Sequence, residues 1–219
     1  MQKPHVYIIH LEHRTDRKEQ FTAAWSAAGL PTDRLVWYPA VYGAALPNRV
    51  IKGFHTVART RRARAGRLGA YLSHKGAIAA AIAADHFPLL ILEDDAVPAL
   101  SATSFAELFE GGDAGLLYFG ALPVKDRKAV KNYCSRGTRR RSWRHLSDST
   151  YLYGGHAYGF RDAASATDVL RFLEEHPMTF DSALVRYQKK WPRRVAVRCP
   201  FAFYQAEGYS NIEGTIRWR

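Results

Sequence analysis

Glu93, Asp94 and Asp95 stand side by side directly after an apolar run, Leu89 to Leu92. Three adjacent carboxylates repel one another unless a positive group sits among them. A hard divalent cation, Mn²⁺ or Mg²⁺, is a natural counter-charge because it prefers carboxylate oxygens. In an extended segment Glu93 and Asp95 share one side and Asp94 takes the other. Two carboxylates can then hold one metal while the third hydrogen-bonds a sugar or a base. The plainer alternative is a solvated turn whose acids balance nearby arginines.

Arg14 and Arg17, just after the first apolar run, are the next candidates. A guanidinium fork matches phosphate geometry, although an ordinary helix start also carries such residues. Two basic runs, Arg59 to Arg67 and Arg136 to Arg144, read first as solvated faces. Trp143 in the second adds an aromatic surface that could grip an acceptor glycan or an anionic group. A nucleic-acid binder presents the same kind of surface.

These residues need a frame. "HVYIIHL" predicts a first strand over Val6 to Leu11. A helix follows, capped by Thr15, with Phe21 and Trp25 on one face and Gly29-Leu30-Pro31 as its end. "LVWYPAV" predicts a second strand. Gly43 to Arg67 is turn-rich and basic, and its charge run falls on a loop. "LGAYLSHKGAIAAAIAADHFP" predicts a helix stopped by Pro88.

The acids close the next strand, "PLLILEDD". Its unbroken apolar run predicts burial on both faces of a parallel sheet. "SFAELFEGG" predicts a short helix with a Ser104/Glu107 capping box, and "AGLLYFGA" another buried strand. Pro123 to Ser147 predicts a mobile surface loop. "YLYGGHAYGF" alternates aromatics around a Gly154-Gly155 break that permits a close turn. Ala166, Val169, Leu170 and Leu173 define one face of a helix, Asp181 is the N-cap of a last helix, and "RVAVRCPFAFYQ" is strand-like. Strands alternating with helices give an α/β fold with a mostly parallel sheet.

Composition narrows the partners. The chain has 219 residues, enough for one α/β domain over 1–219, with no internal repeat or clear linker. A formal net charge of +12 favours anionic partners: nucleic acid, phosphorylated substrates or an acidic membrane surface. Two distant cysteines, Cys134 and Cys199, exclude a zinc framework and make free thiols the default, with one disulfide between them as the alternative. The first apolar run is too short for a signal peptide, and no segment approaches the ~20 apolar residues of a membrane helix. The expectation is a cytoplasmic protein, with peripheral contact to an anionic membrane surface left open.

Taken in order, the segments resemble glycosyltransferase family 25, the lipopolysaccharide and collagen galactosyltransferase group. "VYIIHLEHRTDRKEQF" is similar to its first strand and Arg, Asp-Arg signature, and "YPAVYGA" to its following turn. "GRLGAYLSHKGAI" is similar to its Ser-His segment and "LLILEDDAVP" to its EDD strand. "GGHAYGF", "TFDSAL" and "YQAEGYSNI" resemble its later strand, acidic position and closing motif. Each piece alone is a weak signal; the ordered set spans nearly the whole chain. His10, Ala70 and Asn211 depart from the family's usual Asn, Cys and Asp.

The resemblance implies a GT-A-like fold and an inverting hexosyltransferase. A hexose such as galactose would pass from a UDP-sugar to a glycan, glycoprotein or glycolipid. It implies Mn²⁺ or Mg²⁺ on Asp95 and Glu93, with Asp94 on the ribose or sugar. Arg14, Arg17, Ser73, His74 and Gln205 become donor-binding residues, and Asp181 the catalytic base. Two rivals share these features. A metal-dependent nucleic-acid-processing enzyme would use the acids and basic patches, but the sequence lacks a second acid-rich motif for a two-metal site, so no specific nucleic acid is expected. A non-catalytic nucleotide-sugar or glycan-binding module would keep the fold without the chemistry.

Overall fold

The unbroken apolar run at Leu89 to Leu92 forms a strand buried on both sides. Leu89 and Ile91 enter one hydrophobic cluster and Leu90 and Leu92 the other. The computed structural model describes residues 3–123, 142–146, 151–206, 208–210 and 215–217. Among them, β1 (His5–His10), β2 (Leu35–Pro39), β3 (Leu89–Glu93), β5 (Leu116–Pro123), β6 (Ser142–His145), β7 (Leu152–Phe160) and β8 (Val195–Cys199) form a seven-stranded sheet. Its order is β2-β1-β3-β7-β5-β8-β6. The register makes β2, β1, β3, β5 and β8 run one way and β7 and β6 the other. The protein is therefore α/β with a mostly parallel mixed sheet, compatible with a Rossmann-like arrangement.

Helices cover both faces. α1 (Thr15–Ala27) and the short α4 (Ala102–Ala106) supply Phe21, Trp25 and Phe105 to one cluster. α3 (Arg61–Ala83), α5 (Ala163–Glu175) and α6 (Phe180–Lys190) pack on the other. Trp25 is only 1% exposed, and truncating such a ring costs about 3–5 kcal/mol. The chain leaves β1 through α1 on one face and reaches β3 through α3 on the opposite face. The crossovers thus part at the carboxyl ends of β1 and β3, the point where open α/β sheets hold ligands. Glu93, Asp94 and Asp95 sit there because of topology.

Several boundaries depart from expectation. Arg14 occupies the N-cap of α1 and Thr15 is its first residue. The basic run begins a helix: Thr60 accepts from the Ala63 N–H, and α3 starts at Arg61 because arginine is a good helix former. A 3-10 turn (Gly43–Ala45) and α2 (Asn48–Gly53) precede it. Ser101, not Ser104, caps α4. The expected loop over Pro123 to Ser147 contains β6; residues 124–141 lie outside the described residues. Trp143 packs edge-on to Phe119 and donates to the Glu110 carbonyl, so it belongs to the sheet's edge. Cys199 is disulfide-bonded, which corrects the free-thiol expectation; Cys134 lies outside the described residues.

The last expected strand is two. β8 is in the main sheet, while β9 (Phe203–Gln205) pairs antiparallel with β4 (Ala96–Pro98). β10 (Gly208–Ser210) and β11 (Thr215–Arg217) form a hairpin. Gly154 and Gly155 lie within β7, not at a turn. Gly154 has φ +136°, and a Cβ on Gly155 would lie 3.1 Å from the rings of His74 and Phe180. Among the described residues no helix is long and apolar enough to cross a membrane.

Gly43 fixes the segment between β2 and α2 on α3, because a Cβ there would overlap the Ala65 carbonyl oxygen. Neither backbone can yield cheaply. Gly43→Ala is expected to cost about 1–3 kcal/mol. Gly53→Ala, with nothing within 4 Å of the new methyl, should be close to neutral. Thermal and urea unfolding of the two variants checks this contrast.

Candidate functional site

A cavity of about 370 Å³ opens at the carboxyl ends of β1 and β3. Its floor carries Glu93, Asp94, Asp95 and Gln205; its walls include Arg17, Ser73 and His74. His13, Tyr42, Gly43, Arg61, Arg62 and Gly66 complete the side toward α3's first turns. The cavity therefore has an acidic floor and a basic rim.

The strand's alternation separates the first two acids, as expected. Glu93 Oε1 lies 3.3 Å from His74 Nε2 on the α3 side. Asp94 points to the α1 side, where Oδ2 meets His10 Nδ1 at 2.9 Å and Oδ1 meets Arg17 at 2.6 Å. The strand stops at Glu93, so the alternation does not carry through to Asp95. Instead Asp95 Oδ2 accepts from Gln205 Nε2 at 3.1 Å and lies 3.5 Å from the same Arg17 guanidinium. The positive group among the acids is thus Arg17, in the first turn of α1.

Arg17 does not complete the compensation. Asp95 Oδ1, Gln205 Oε1 and His10 Nε2 are buried without a hydrogen-bond partner among the described residues. Burial and the neighbouring Glu93 charge push the Asp95 carboxyl up to about 7, against the opposing pull of Arg17. Two partnerless buried oxygens, one on a carboxyl of raised pKa, suit an added cation. Among the described residues no group of three or more His, Cys, Asp or Glu side chains converges to hold a metal by itself. A cation arriving with a diphosphate needs only one or two carboxylates, since phosphate oxygens and water complete its shell. The donor set fits that kind of site.

His74 is fully buried and neutral. Desolvation pulls its pKa down to about 4, opposed by the negative charge of Asp181. Its contact with Glu93 is then a hydrogen bond from Nε2–H, and Nδ1 accepts from the Tyr158 hydroxyl at 3.1 Å. Phe180 stacks on the ring with centroids 3.9 Å apart. His74 is thereby locked in one tautomer and orients Glu93.

Asp181 follows Phe180 in the first turn of α6. Thr179 holds the N-cap position, so the expected capping role of Asp181 is corrected. Its charge acts on His74 and also pushes Tyr118 and Tyr158 upward, behind their burial. Asp181 is half-buried, its charge is felt at His74, and it does not line the cavity itself.

The other expected residues divide. Ser73 lines the cavity, but its hydroxyl donates to the Gly69 carbonyl and accepts the Val41 N–H, pinning the post-β2 segment to α3. Arg14 does not reach the cavity; it forks onto Asp16, and that pairing pulls Asp16 down to about 2. Residues the sequence did not single out as a site are His13, Tyr42, Tyr158, Arg61 and Arg62. Only the basic run hinted at the last two. His10 was visible only as a departure from Asn. Compared with known proteins, the chain matches no family model and no curated protein.

The acids differ in expected response. Asp94→Asn breaks a buried pair with Arg17 and should cost about 3–5 kcal/mol. Asp95→Asn removes a charge the fold disfavours. A carboxyl raised to about 7 in the fold destabilises the protein increasingly as pH rises from about 4 through 7. In EDTA, Asp95→Asn should therefore match wild type near pH 4 and exceed it at pH 8, by roughly 2–4 kcal/mol. Urea unfolding across pH tests this; a pH-independent difference would show that Asp95 ionises normally.

Proposed function

We propose that the protein is an inverting glycosyltransferase of GT-A-like fold that moves a hexose such as galactose from a UDP-sugar to a glycan, glycoprotein or glycolipid acceptor. The observation that carries this is the acidic floor at the β1/β3 crevice, with Asp95 Oδ1 and Gln205 Oε1 left without partners among the described residues. The ordered resemblance to glycosyltransferase family 25 agrees with it, since the acids, Ser73, His74, Asp181 and Gln205 occupy that family's motif positions.

Asp95 and Gln205 would hold Mn²⁺ or Mg²⁺, with Glu93 beside them. Bound there, the cation supplies Lewis-acid stabilisation of the leaving diphosphate. Arg17, Arg61 and Arg62 supply the remaining positive potential for phosphate. Glu93, steadied by neutral His74, faces the donor's sugar, while Asp94, with both oxygens held by Arg17 and His10, fixes Arg17 beside the donor site. The acceptor hydroxyl attacks the anomeric carbon from the face opposite the leaving group. A new C–O bond forms, the bond from that carbon to the diphosphate oxygen breaks, and UDP departs. The resemblance assigns the hydroxyl proton to Asp181; because that carboxylate is not among the residues lining the cavity, it would take the proton through one intervening water.

A second reading is a nucleotide-sugar-binding module without turnover. Arg17, 2.6 Å from Asp94 and 3.5 Å from Asp95, favours it because it already supplies counter-charge without a metal. Two measurements separate the readings. UDP should raise the melting temperature more with Mn²⁺ than with EDTA, because ligand that binds only the native state stabilises it. If single-stranded DNA or RNA stabilises and UDP does not, a nucleic-acid enzyme is the better reading.

Asp181→Asn should keep wild-type melting and UDP-sugar affinity while turnover falls about 10²–10⁴-fold, the usual contribution of a general base. Near-normal turnover at saturating donor and acceptor would remove Asp181 from that role. No turnover in wild type, with UDP binding intact, would leave the binding module.

A further inference from the structure

From Arg34 to Ala84 the sequence contains no acidic residue, while Arg49, Lys52, Arg59, Arg61, Arg62, Arg64 and Arg67 cluster inside it. This segment builds the cavity's mouth: Tyr42, Arg61 and Arg62 line it directly. Two of the arginines are braces. Arg64 donates to the carbonyls of Lys52, Phe54 and Ala58, and Arg67 to Thr56 Oγ1. Arg61 Nε holds Asn48 Oδ1 at the start of α2. Ile51 and Phe54 are buried beneath, so residues 48–60 sit on α3 as a fixed surface.

That surface turns apolar side chains outward between the cations. Val57 is 87% exposed, Tyr42 52% and Val50 43%. They account for three of the five large apolar side chains exposed among the described residues. Arg49, Lys52 and Arg59 stand exposed beside them.

We propose that this collar docks the protein on an anionic lipid bilayer, with Val57 and Val50 entering the headgroup boundary and the arginines and lysine on lipid phosphates. Exposed cations interleaved with aliphatic side chains are the chemistry of interfacial binding. Single-stranded nucleic acid is disfavoured: it needs aromatic stacking platforms, whereas the collar exposes valines and a single tyrosine, and the cavity floor beside it is acidic. Docking in this pose turns the cavity mouth toward the membrane, where a lipid-borne substrate would meet it. The proposal does not depend on the transfer reading, since vesicle binding is measured without turnover.

The test is co-sedimentation of the full chain with vesicles of phosphatidylcholine, alone or with one-third phosphatidylglycerol. Binding should require phosphatidylglycerol and weaken as salt is raised. The Arg49→Gln/Lys52→Gln/Arg59→Gln variant should lose roughly tenfold or more in vesicle affinity. Val57→Asp should lose a similar amount, and both variants should melt like wild type because the changed side chains are exposed. A charge-matched control, Arg171→Gln/Arg186→Gln/Arg193→Gln, removes three exposed cations that do not line the cavity. It should bind as wild type does. Equal loss in that control, indifference to Val57→Asp, release by inorganic phosphate at matched ionic strength, or preference for single-stranded nucleic acid over vesicles would each overturn the proposal.

Discussion

One guanidinium sets the terms at this site. Arg17 reaches across from α1 to lie 2.6 Å from Asp94 and 3.5 Å from Asp95. Without it three carboxylates would crowd the end of a fully buried strand, where low polarisability strengthens their repulsion. With it, Asp94 has both oxygens engaged, one by Arg17 and one by His10. Asp95 does not: its second oxygen lacks a partner among the described residues and its carboxyl is pushed up to about 7. One acid thus has both oxygens engaged by the fold, and its neighbour keeps one oxygen without a partner among the described residues.

The sheet keeps these roles apart. Asp94, His10 and Arg17 belong to the α1 face. Glu93, His74, Tyr158 and Asp181 belong to the α3 and α6 face, where His74 is neutral and fixed by three neighbours. Small residues permit this spacing. A side chain at Gly155 would press on His74 and Phe180, and one at Gly69 would meet the Val41 carbonyl at 2.6 Å. Overpacking at such positions costs about 1–3 kcal/mol and would also move the groups that orient Glu93.

What the sequence made legible was whatever depends on near neighbours. The unbroken Leu89 to Leu92 run announced a strand buried on both faces, and the Phe21/Trp25 spacing announced α1's inner face. Gly29 marked a real stop of α1, whereas α3 ends at Ala83, ahead of Pro88, with Asp85 in the left-handed region at φ +51°. What it hid depends on tertiary contact. Arg61 to Arg67 read as a loop because charge was the visible property, yet its arginine stems favour helix and its first turns close over the cavity. Trp143 read as part of a surface loop because only its fold partners, Phe119 and the Glu110 carbonyl, make it a strand edge. Thr179, Asp181 and Ser182 offer three cap-forming side chains in four positions; Thr179 takes the N-cap position without a side-chain cap bond, and its hydroxyl donates to Ser182 Oγ instead. The Arg17–Asp94 and His10–Asp94 pairs join residues far apart in the chain, which only strand order brings together. The acid cluster was therefore legible, and arginines were one expected balance for it, but which arginine pairs with which acid was not.

The central claim is that Asp95 and its surroundings bind a divalent cation together with a nucleoside diphosphate. Electron paramagnetic resonance of Mn²⁺ tests it most directly, because the sharp six-line signal of the free ion broadens when protein holds it. The expected result is little loss of free signal with protein alone, and a large loss when UDP is added beyond what UDP causes by itself. That additional loss should vanish in Asp95→Asn. A free-ion signal that UDP and protein together leave no lower than UDP alone, or one that Asp95→Asn lowers as much as wild type does, would contradict it.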